Sequence, residues 1–101
     1  MSRITLSTGQ IVYDPRGQVD AEPRPPAPRV ASLAGLRLGV LDNTKWNGRK
    51  LLEKTVAILE GEGPLKETHY YKKESFSRNA ARDLIEKIAR ENDVVITAIG
   101  D

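Results

Sequence analysis

The most constraining feature of this chain is the stretch Leu36 to Glu60, LRLGVLDNTKWNGRKLLEKTVAILE. A short apolar run, Leu36 to Leu41, has the length and composition of a buried strand. A polar loop follows from Asp42 to Gly48. Leu51, Leu52, Thr55, Val56 and Leu59 then recur at the three-to-four spacing of a helix with one apolar face. A strand that turns through a tight polar loop into a helix opens an α/β sheet, and ligands bind at the carboxyl ends of such strands. Backbone N–H groups at the first turn of that helix, with Lys45, Arg49 and Lys50 nearby, suit an anion.

The rest of the pattern extends the same unit. Gly61, Gly63 and Pro64 are expected to stop the first helix. Leu65 to Lys73 reads as a second strand of only partly alternating character, and its polarity places it at a sheet edge. Ser75 or Ser77 can cap a second helix, with Ala80, Ala81, Leu84, Ile85, Ile88 and Ala89 on its apolar face and Asn92 at its end. Val94–Ile99 is nearly continuous in apolar residues and reads as a central buried strand. Right-handed crossovers convert this order into a three-layer β-α-β-α-β unit with a parallel sheet, the Leu36–Leu41 strand in the middle.

Ahead of it, Ile4–Leu6 and Gln10–Tyr13 flank Ser7-Thr8-Gly9 and predict a hairpin arm over residues 1–13. Five of the chain's six prolines fall within residues 14–30, which reads as an extended linker. The α/β unit then occupies residues 31–101.

Composition narrows the function classes. A formal charge of +2, with acids and bases interspersed, is not the footprint of a nucleic-acid binder. With no cysteine, the chain holds no disulfide, thiol nucleophile or thiolate metal site. No apolar run approaches a membrane span of about 20 residues, and the amino terminus lacks the core of a secretory signal. A cytoplasmic protein without membrane or nucleic-acid partners is expected. Neither a G-x-G-x-x-G nor a Walker lysine motif is present, so no cofactor is expected.

The candidate residues divide between two readings. Asp42, Asn43, Thr44, Lys45 and Asn47 form a substrate- or anion-binding loop, or else Asp42 and Asn43 only shape turns while Asn47 caps the helix. Trp46 is expected to anchor the loop against a helix rather than to wall a pocket. His69, the only histidine, can act as a base near neutral pH, but no second histidine or cysteine accompanies it. Tyr70-Tyr71-Lys72-Lys73 is read as an amphipathic edge strand rather than a stacking platform.

The loop LDNTKWN before an amphipathic helix, together with the ending Val94-Val95-Ile96-Thr97-Ala98-Ile99-Gly100-Asp101, resembles the UGSC family of bacterial proteins and selenoproteins. In that family a strand ending in Gly-Asp runs into selenocysteine or cysteine followed by Gly-Ser-Cys. The resemblance implies that Asp101 would immediately precede the reactive residue, so no catalytic residue is expected within this chain. It adds Thr97 and Gly100 to the substrate-binding candidates. Lys45 or the amides of the first helix would then lower a thiol or selenol pKa and hold a substrate carboxylate.

Two function classes follow. The first is the substrate-loop half of a thiol- or selenol-dependent enzyme acting on a small, anionic metabolite, inactive alone. A recoded stop codon, cleavage or a split gene would each account for its ending before the motif. The second is a non-catalytic α/β interaction subunit. In both, the uncovered edge of Val94–Ile99 is expected to meet a second copy or a companion polypeptide.

Overall fold

A computed structural model describes residues 2–17 and 20–100. The chain is a mixed α/β structure: an antiparallel hairpin, then two helices and a parallel three-stranded sheet.

The hairpin pairs β1 (Ser2–Thr5) with β2 (Ile11–Asp14). Gly9 turns it with φ of 85°, a left-handed conformation in which a side chain is strained. Every residue of β1 is exposed, and β1 and β2 form a sheet of their own. The described residues between Asp14 and Ala34 form no helix or strand, as their prolines require.

The larger sheet runs in the order β4-β3-β5, with β3 spanning Arg37–Asp42, β4 Glu67–Lys72 and β5 Val94–Ala98. All pairings are parallel; Val40 stands beside both Tyr70 and Ile96. Between them run α1 (Gly48–Glu62) and α2 (Arg82–Glu91). Leu38 and Val40 point to one face and meet Leu52 and Val56 of α1, the centre of the core. Leu59, Leu65, Val94, Ile96 and Ala98 close around it. α2 covers the other face, where Ile88 is buried and Leu41, Ile85, Ala89 and Val95 line an apolar cleft. The helices therefore lie on opposite faces, giving three layers.

On the α2 face a part-buried polar network centred on the buried Asn92 adjoins this apolar packing. Asn92 Nδ2 donates to Tyr71 Oη at 3.0 Å and to the Ile88 carbonyl at 2.9 Å. Its Oδ1 is then the acceptor, so His69 Nδ1, at 3.0 Å, carries the proton. Tyr71 Oη donates to Glu91 Oε1 at 2.8 Å. Desolvation of the Tyr71 phenol raises its pKa above the usual 10.0.

Several expectations are corrected. Val94–Ala98 is an edge strand with alternating burial, not a central one, because no strand among the described residues pairs beyond it. α1 continues through Gly61, and Gly63 ends it in extended backbone with φ of −172°, not in a left-handed cap. Leu51 leaves the apolar stripe, which is carried by Gly48, Leu52, Val56 and Leu59. α2 starts at Arg82, after Ala80 and Ala81, and neither serine caps it: the Ser75 hydroxyl instead accepts from the Ser77 amide at 3.1 Å. Trp46 anchors nothing, being 88% exposed.

Candidate functional site

Three parallel strands in register bring their carboxyl ends to one side of the sheet. Asp42 pairs with both Lys72 and Ala98, so Asn43, Lys73 and Ile99 are the first residues past the three strands. They meet directly. Lys73 Nζ donates to Asn43 Oδ1 at 2.6 Å, and Asn43 Nδ2 donates to the Ile99 carbonyl at 2.5 Å. The Asn43 amide donates to the Ala98 carbonyl at 2.9 Å, and the Lys73 amide to the Asp42 carbonyl at 3.0 Å. Thr97 Oγ1 donates to the Leu41 carbonyl at 2.8 Å. The Ala98–Ile99 peptide is cis.

A cleft of about 280 Å³ opens over this junction. Asn43, Lys73, Asn79 and Thr97 supply its polar wall, and Leu41, Ala80 and Ile99 the apolar wall, with Gly100 at its end. A second cleft, of about 460 Å³, shares Lys73, Asn79 and Ala80 with it and adds Glu74, Arg78 and Asp83.

The loop entering α1 is shaped by its own polar groups. Asp42 is nearly buried, and its Oδ1 accepts the Thr44 amide at 2.8 Å. The same oxygen lies 3.4 Å from the position a Cβ would take on Gly48, the first residue of α1. A carboxylate of the chain itself therefore lies beside the first turn of α1, where the helix dipole favours negative charge. Thr44 (φ 68°) and Asn47 (φ 63°) both adopt left-handed backbone. For a β-branched threonine this costs about 1–2 kcal/mol. Asn47 stands at the cap position of α1 but makes no side-chain cap bond.

The predicted site residues thus fall into three groups. Asn43, Thr97 and Gly100 line one cleft, while Asp42 and Thr44 brace the loop behind it. Lys45 and Asn47 lie on the flank: Asn47 is exposed, and Lys45 Nζ stands 5.6 Å from the centre of the Phe76 ring. Nearby, the Arg49 guanidinium stacks on Tyr70 at 4.3 Å. His69 sits within the Asn92 network, and its Nε2 lies 3.2 Å from Glu67 Oε2, away from the carboxyl ends of the strands. Lys73 and Asn79 are the cleft residues that sequence reasoning missed. The available signal was the position of Lys73 at the end of an edge strand, but its meaning depends on strand register.

The chain is thus a mixed α/β unit with a polar cleft at the carboxyl ends of its parallel sheet and a strained loop after its middle strand. The chain belongs to the UGSC family, whose family model matches residues 11–101. No curated protein and no solved structure matches it.

Proposed function

We propose that this chain is the substrate-loop half of a thiol- or selenol-dependent oxidoreductase, or of an enzyme of nucleophilic attack, acting on a small anionic metabolite. The observation that carries this reading is the side chain of Asn43. It joins the loop after β3 to the end of β5 while holding Lys73 beside both. A reactive group supplied just beyond Gly100 and Asp101 would face a cation and amide groups. Asp42, Asn43, Thr44, Lys45 and Asn47 would shape and line the substrate loop, with Thr97 on the neighbouring strand and Gly100 just beyond its end. With no cysteine of its own, the chain alone would be inactive. A cytoplasmic setting suits such a thiol.

The test compares the 101-residue chain with a form extended through its downstream codons, cysteine replacing any UGA-encoded residue. Iodoacetamide at mildly acidic pH alkylates only a low-pKa thiol quickly. The extended form is expected to react at one site, more slowly after Lys45→Ala, and the shorter chain not to turn over substrate. Catalysis by the shorter chain alone overturns this reading.

A second reading, a non-catalytic subunit that assembles through β5, has its own observation. Val95 is 47% exposed and Ile85 51% exposed at the rim of the apolar cleft between α2 and the sheet. In either case the β5 edge would be covered by a second copy or a companion polypeptide. Sedimentation of the pure chain tests this: self-association supports a second copy, and a cooperatively folding monomer at micromolar concentration counts against it.

A further inference from the structure

The cleft at the carboxyl end of the sheet has a simple electrostatic make-up. Among the described residues, Lys73 is the one charged group in its wall, and none of them brings a carboxylate to that wall. Asn43 and Asn79 contribute amides and Thr97 a hydroxyl, while Leu41, Ala80 and Ile99 form an apolar side. Lys73 is held in place by its 2.6 Å bond to Asn43 Oδ1. An ammonium has three donors, so two remain for a ligand. The adjoining larger cleft, which shares Lys73, differs: Lys72 and Arg78 stand there with Glu74 and Asp83, a mixture of signs that selects no anion.

We propose that the smaller cleft is a monocarboxylate site in which Lys73, not the basic residues at the start of α1, is the cation that receives the substrate's acid group. The proposal rests on the reading that this end of the sheet takes a small anionic substrate, and it specifies the substrate class. One positive charge matches one carboxylate; a dianion would bring a second charge with no partner. The apolar side favours a short hydrocarbon body lying against Leu41, Ala80 and Ile99. The volume of about 280 Å³ lies at the lower end of ligand sites and limits that body to a few carbons. With the carboxylate at Lys73, the rest of the ligand extends toward Ile99 and Gly100. Because Asn43 fixes the ammonium before binding, less side-chain entropy is lost when the carboxylate arrives.

The test is a ¹⁵N–¹H NMR titration of the 101-residue chain with propionate, propionamide and succinate. Propionate is expected to shift the amides of Asn79, Thr97 and Gly100 saturably. Propionamide, the same shape without charge, is expected to bind about tenfold more weakly, the scale of one charge-assisted hydrogen bond. Lys73→Gln is expected to weaken propionate by a similar factor. Ala80→Leu leaves Lys73 in place, fills the apolar side and is also expected to weaken binding, so it decides the matter if Lys73→Gln loses its dispersed spectrum. Equal binding of propionamide overturns the proposal, as does clearly tighter binding of succinate. Propionate affinity unchanged by Ala80→Leu, or shifts confined to Arg49 and Lys50, overturns it too. No sulfur or selenium is needed in this measurement. A chain that binds propionate as described while its extension shows no reactive thiol keeps the site and loses the enzyme reading. The converse result loses the site alone.

Discussion

The side chain of Asn92 occupies the space that Gly39 leaves by having no Cβ. A Cβ on Gly39 would lie 2.8 Å from Asn92 Nδ2 and 2.9 Å from its Cγ. Asn92 cannot move aside without breaking its bonds to Tyr71, His69 and Ile88. A glycine in the middle strand is therefore matched to a buried amide at the end of α2. Gly39→Ala should destabilise the chain by about 1–3 kcal/mol, the usual cost of overpacking. Urea unfolding measures this, and combining Gly39→Ala with Asn92→Ala should cost less than the sum of the two single changes.

The second prediction concerns pH. Arg37 donates from Nε and Nη2 to the two Asp93 oxygens at 3.1 and 3.0 Å, and its backbone amide adds a third bond at 2.9 Å. The side-chain bonds to Arg37 are the main reason that the Asp93 carboxyl titrates at about 2 instead of 3.8. The folded chain thus keeps a carboxylate that the unfolded chain protonates first. This contribution is fully present above the unfolded value of 3.8 and is lost as pH falls toward about 2. Unfolding midpoints measured across that window should fall less steeply for Asp93→Asn than for the unaltered chain.

Thr44 stores strain that can be released. With φ of 68° it holds a conformation that glycine adopts freely. Thr44→Gly should raise stability by about 1 kcal/mol, the relief exceeding the added freedom of the unfolded chain. Its hydroxyl bond to the Asn43 carbonyl at 2.6 Å would be lost, so Asn43 should become more mobile. Thermal unfolding reads the first effect, and amide relaxation at Asn43 the second. A drop in stability would show that the hydroxyl bond outweighs the strain.

The fourth prediction tests the polar network. Tyr71→Phe removes the donor to Glu91 and the acceptor for Asn92 while retaining the ring. A loss of about 1–2 kcal/mol in urea unfolding is expected, since Asn92 Nδ2 keeps only its bond to the Ile88 carbonyl. Unchanged stability would mean that water replaces the phenol at no cost.

The hairpin, the proline-rich segment and the strand–helix alternation were legible because they depend on local chemistry. Glycine and proline set turns and breaks, and apolar spacing sets which face is buried. The middle position of Leu36–Leu41 followed from the handedness of parallel crossovers. Local pattern misled where several elements compete for one residue. Val94–Ile99 is as apolar as a central strand, yet what pairs beside it is not encoded in its own composition. Ser75 and Ser77 are good caps in isolation, but they bond to each other in the loop and α2 begins five residues after the second of them. The loop after the middle strand was marked by its sequence, and Asn43 with it. Lys73 became part of the site only because parallel register sets Lys72 beside Asp42, which carries the next lysine to the next asparagine. The sequence by itself therefore determined the elements, their order and the end of the sheet at which the polar loop lies. The tertiary structure decided which cation stands there, because contacts between residues thirty positions apart arise from register and packing, not from neighbours along the chain.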